Sequence, residues 1–83
     1  MRSTTIRRAI LEILERAQPY ALPEQQLIVE LNGSIRPPAG KAEFDEEILF
    51  LQVRGYIATV PDSLDESLIK WAVTEAGRTT LRQ

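Results

Sequence analysis

The chain contains no cysteine and no histidine. Without thiols there are no disulfides and no thiolate chemistry, and without imidazoles the usual general base and the usual zinc ligands are missing. Aromatics are scarce, at 6% of 83 residues, and a chain this short buries only about 60 to 65% of its unfolded surface. Long apolar runs are lacking as well: the longest is the four residues Ile48 to Leu51, against the ~20 needed to cross a bilayer. No positively charged start leads into an apolar stretch, so nothing reads as an export signal. A soluble, cytoplasmic chain without membrane contact is the expectation. Positive charge is not in excess either. Ten lysines and arginines stand against twelve acids, for a net charge of −2 and a pI near 5.1, so no chain-wide field gathers nucleic acid.

What is present describes an ordinary globular chain, with 43% hydrophobic residues and 27% charged ones that are interspersed rather than blocked. Ile6, Ile10, Ile13, Leu14 and Ala17 recur at helical spacing, which predicts a first helix from Thr4 to Ala17, capped by Ser3 or Thr4 and halted by Pro19. Arg8, Glu12 and Arg16 are spaced for i,i+4 pairing on its polar side. Pro23 suits a first helical position, Leu27, Ile28 and Leu31 make a second stripe, and Asn32-Gly33 should end that helix. Residues 32–40, with two glycines and Pro37-Pro38, read as a loop. A third helix is expected from Lys41 to Arg54, with Phe44, Ile48 and Leu51 facing inward and Gly55 as a left-handed stop.

The period then changes. Tyr56 to Val60 reads as a strand, Pro61 to Ser67 as a polar turn, and Leu68 to Val73 as a second strand with Ile69, Trp71 and Val73 on one side. Thr74 then caps a short last helix anchored by Leu81. One α+β domain over residues 1–83 follows: a three-helix core, a two-stranded antiparallel wing with Trp71 in the core, and a short C-terminal helix.

Two stretches carry a family resemblance. Leu51-Gln52-Val53-Arg54-Gly55-Tyr56-Ile57 resembles the helix-glycine-strand junction of bacterial winged helix-turn-helix regulators, and Trp71-Ala72-Val73-Thr74-Glu75-Ala76-Gly77-Arg78 resembles their closing motif. Together they cover the C-terminal half of the chain. The resemblance implies a winged-helix fold and a third helix placed to read DNA. One departure is the loop before that helix, which is longer than the three or four residues of a tight helix-turn-helix.

The residues of the third helix argue differently. Residues 41–54 carry two positive and four negative charges, a net of −2, and the turn at 61–67 adds Asp62, Asp65 and Glu66. A recognition face normally offers cations and neutral donors to phosphates and base edges. The outward side of this helix instead offers Asp45, Glu46, Leu49 and Val53, with Phe50 beside them, an apolar strip with acids around it that fits a protein partner or a second copy of the chain. Part of that strip could equally lie under the wing. For DNA the candidates are Ser34, Arg36 and Lys41 around the start of the third helix, with Arg7 and Arg8 on the first. The expectation is a non-catalytic winged-helix module for protein interaction or self-association in a regulatory or nucleic-acid-handling assembly, with DNA disfavoured by the acidic helix and wing. The alternative is a DNA-binding transcription regulator. Four serines without a histidine give no activated nucleophile, and the acids at 43–47 lack the spacing of a calcium loop, so no enzyme, cofactor, metal or small-molecule substrate is expected.

Overall fold

The structure, a computed structural model, describes residues 2–62, 64, 65 and 68–83. In chain order its elements are α1 (Arg2–Ala17), β1 (Leu22–Pro23), α2 (Glu24–Ser34), α3 (Lys41–Val53), β2 (Ile57–Pro61), β3 (Ile69–Val73) and α4 (Glu75–Leu81). Three helices enclose the core. Ile6, Ile10 and Leu14 of α1, Leu27 and Leu31 of α2, and Phe44 and Leu51 of α3 are its most deeply buried side chains, the phases that helical spacing predicts.

The sheet is one strand larger than expected. Its order is β1-β3-β2, antiparallel throughout, and Trp71 at its centre lies opposite Leu22 on one side and Thr59 on the other. Two residues are too few to show a period, so β1 has no signature in the sequence. Pro23 is drawn into that strand, with φ −57° and ψ 145°, and α2 begins one residue later than the proline suggests. The β3 pattern holds for Trp71 and Val73, which are buried, but Ile69 is 47% exposed because it lies beyond the end of the core.

Helix ends also depart from expectation. The first helix starts at Arg2, which places Ser3 and Thr4 inside it; the Arg2 guanidinium holds this end to the Pro37 carbonyl at 2.7 Å and to Glu43 at 2.8 Å. Asn32-Gly33 does not stop α2, which continues to Ser34. The Asn32 side chain is engaged across the loop instead, accepting from the Ala39 N–H at 2.9 Å and donating to its carbonyl at 3.3 Å. Arg8, Glu12 and Arg16 form no ion pair with one another among the described residues; Arg8 donates to the Leu81 carbonyl at 3.4 Å, and Glu15 faces Arg82 at 3.1 Å.

The junction after α3 follows the sequence closely. Gly55 has φ +76°, the left-handed conformation that L side chains resist. Thr74 then ties the two ends of the wing together: its hydroxyl donates to the Gly55 carbonyl at 2.6 Å and accepts from the Gly77 N–H at 3.2 Å, capping α4. Gly77 allows α4 to lie directly on the chain before β2, since a Cβ there would strike the Tyr56 carbonyl oxygen and Val73. Leu51, 1% exposed, closes the core beneath this junction. Leu51→Ala should cost roughly 2 to 5 kcal/mol, read as a lower urea midpoint at unchanged slope. An unchanged midpoint would contradict the packing of α3 described here.

Candidate functional site

The surface singled out in the sequence is the outward side of α3, and the structure decides both its phase and its charge. Ala42, Asp45, Glu46, Leu49 and Val53 are all exposed. The wing does not cover them: Leu49 is 59% exposed and Val53 76%. Phe50 is half-buried against α1, with the Arg7 guanidinium 3.4 Å from its ring centroid and that of Arg54 4.3 Å away.

The net acidity of α3 disappears once its spatial neighbours are counted. Glu43 meets Arg2 at 2.8 Å, and Glu47, 5% exposed, receives Arg7 at 3.0 Å. Asp45 meets Lys41 at 2.7 Å, one turn away. With Arg2 and Arg7 included, the four acids of residues 41–54 are balanced by four bases. The expectation that an acidic third helix repels DNA therefore rested on a sum along the sequence that the fold does not preserve. The turn is similar in part. Asp62 pairs with Lys70 at 3.0 Å and accepts the Leu64 N–H at 2.7 Å; Glu66, with Ser63 and Ser67, lies outside the described residues.

The DNA candidates are brought together only in part. Ser34 ends α2 and Lys41 begins α3, with Arg36 in the loop between them. The Ser34 hydroxyl donates to the Glu30 carbonyl at 3.2 Å. The Arg36 guanidinium rests on the Asn32 and Ile35 carbonyls at 3.0 and 2.8 Å, and no carboxylate among the described residues neutralises it. Lys41 is already engaged by Asp45 and lies 3.9 Å from Glu24, whose other oxygen accepts the Trp71 indole N–H at 3.2 Å. Arg7 is committed to Glu47, and Arg8 lies by the end of α4. Arg54 was not singled out in the sequence, and neither was the pairing of the first-helix arginines Arg2 and Arg7 with Glu43 and Glu47. The signal for that pairing was the i,i+4 spacing of Glu43 and Glu47, which puts two acids on the flank of α3 that meets α1.

With four helices and a three-stranded antiparallel sheet whose β2–β3 hairpin forms a wing between α3 and α4, the chain has a winged-helix fold, similar to that of several solved structures. The adhesin competence repressor AdcR of Streptococcus pyogenes matches 93% of the chain with a TM-score of 0.73 at 19% identity. ZitR of Lactococcus lactis matches 98% with a TM-score of 0.76 at 18% identity. The transcriptional regulator PcaV of Streptomyces coelicolor, solved with its natural ligand, matches 92% with a TM-score of 0.73 at 21% identity. The chain spans about half the length of each of these, 50%, 55% and 48% respectively. No family model and no curated protein matches it. No helix among the described residues is long and apolar enough to cross a membrane.

Two predictions follow from the charges. Arg7→Ala leaves the Glu47 carboxylate buried without its partner and should destabilise the chain by roughly 1 to 3 kcal/mol. Adding Glu47→Leu should restore most of the loss in urea melts, because the stranded charge is then gone. The second concerns acid. The Arg2 guanidinium holds the Glu43 carboxyl below its ordinary value, chiefly by hydrogen bonding and against the effect of desolvation. The Leu64 N–H, followed by Lys70, does the same for Asp62. Depressed carboxyl values stabilise the fold fully above the unfolded range, about pH 4 to 4.5, and that stabilisation is lost as pH falls through the folded values. The urea midpoint should fall on acidification below that range, and Glu43→Gln or Asp62→Asn should each make the dependence shallower. An unaltered slope in both variants would show that neither carboxylate is responsible.

Proposed function

We propose that this chain is the DNA-binding winged helix of a transcription regulator and carries no catalysis of its own. The observation that carries the reading is the internal pairing of three of the four α3 acids, Glu43, Asp45 and Glu47, which removes most of the negative charge from the helix that winged-helix proteins present to DNA. The fold likeness to a repressor and a transcriptional regulator over more than nine-tenths of the chain supports it by analogy. Arg36 and Lys41, with Ser34, would take phosphates at the start of α3, the positive end of its dipole. So few cations imply a weak contact with a shallow salt dependence.

A second reading has its own observation. Leu49 and Val53 are open to solvent on the side of α3 that would enter a groove, and such a strip fits a protein surface. One substitution separates the two. In fluorescence anisotropy with mixed duplex DNA, a DNA-reading α3 gains a cation in Leu49→Arg and should bind more tightly, whereas Arg36→Ala and Lys41→Ala should each weaken binding and reduce the salt slope by about 1. If α3 docks protein, Leu49→Arg abolishes that docking and duplex binding stays negligible in every variant. Absence of salt-sensitive duplex binding by the unaltered chain would remove the DNA reading.

A further inference from the structure

Six charged side chains lie within residues 41–54, and four of them find an opposite charge inside the molecule: Lys41 and Asp45 in each other, Glu43 in Arg2, Glu47 in Arg7. Two do not. Among the described residues neither Glu46 nor Arg54 is ion-paired, and both are exposed. They stand eight positions apart, one before and one after the exposed pair Leu49 and Val53. Ser3, Glu46, Leu49, Phe50, Val53 and Arg54 line one shallow concavity where α3 meets the start of α1. Arg54 is stacked 4.3 Å over the Phe50 ring, which steadies its stem and leaves its nitrogens available to a carboxylate.

A strip with an acid at one end, a base at the other and apolar side chains between them is complementary to itself when turned end for end. We propose that the outward side of α3 is covered by the same strip of a second copy of the chain, the two helices antiparallel about a two-fold axis near Phe50. Glu46 of each copy then meets Arg54 of the other, and Leu49 and Val53 pack between the two ion pairs. A two-fold contact uses every interaction twice, which is why one unsatisfied acid and one unsatisfied base suffice. The strip is short, about 12 Å of helix at ~1.5 Å per residue, so the buried area is small and the dimer weak, with a Kd in roughly the micromolar range. Pairing would also hide the side of α3 that a duplex requires, so dimer and DNA would exclude each other.

The proposal rests on the protein-docking reading and names its occupant. Sedimentation equilibrium of the chain from roughly 1 μM to 1 mM should show monomer passing into dimer. Glu46→Arg and Arg54→Glu, each placing like charges opposite one another twice, should weaken the dimer about tenfold, and the double reversal should return it to near the original Kd. Leu49→Arg or Val53→Arg should weaken it about a hundredfold or more; these side chains are exposed, so an unchanged urea midpoint is expected and checks the fold. A chain that stays monomeric throughout, a dimer indifferent to either charge reversal, or a double reversal that fails to recover would each overturn the proposal. If the chain is monomeric and Leu49→Arg tightens duplex binding, the docking reading fails as well. If it is monomeric and duplex binding stays negligible, only the choice of a second copy as occupant fails.

Discussion

The buried ion pair between Arg7 and Glu47 is the constraint from which most of the surface follows. It joins the first helix to the third across forty residues of chain, at 3.0 Å, with the carboxylate nearly out of solvent. A charge so placed cannot be left without a partner, so the two helices have one relative position in which the core closes and the carboxylate is satisfied. The same arginine lies against Phe50, and Arg2, near the start of α1, reaches Glu43 one turn earlier on α3. Helix α1 therefore does two things at once. It supplies the deepest core side chains, and it removes the negative charge from one flank of α3.

That arrangement separates the faces of α3 by chemistry. The flank toward α1 is saturated, the N-terminal turn is occupied by the Lys41 pairs, and the inward side is held by Phe44, Ile48 and Leu51. What remains outward is apolar, with one acid and one base left over. The junction at Gly55 and Thr74 keeps this geometry rigid, since the glycine turns the chain, the threonine bridges both ends of the wing, and α4 is seated against the Tyr56 carbonyl through a residue with no side chain. The surface available for a partner is thus defined by what the interior has already used.

The fold was legible wherever a period or a turn residue extends over several positions. The phases of α1, α2 and α3, the left-handed Gly55, the Thr74 cap and the burial of Trp71 all follow from local chemistry. Strand β1 was illegible because two residues carry no period and the pairing that creates it comes from β3, forty-nine positions away in the Leu22 to Trp71 register. Helix α2 outran its Asn-Gly stop because Asn32 spends its side chain on Ala39, a contact across the loop. For the site, the sequence placed Leu49 and Val53 outward correctly but misjudged charge. Summation along a helix treats Glu43 and Glu47 as free, and the arginines that answer them come from a different element.

The first helix is also the last to be satisfied. It leaves the ribosome ahead of every element it packs against, and Glu47 is polymerised forty residues after Arg7, an interval of roughly 2 to 8 s at about 5 to 20 residues per second. Until then only α2, with Leu27 and Leu31, is there to cover its isoleucine and leucine stripe, and a lone helix of this length is barely stable in water. Closure of the core must wait for the C-terminal half, so for those seconds the side of α1 that later meets α3 and β3 stays uncovered.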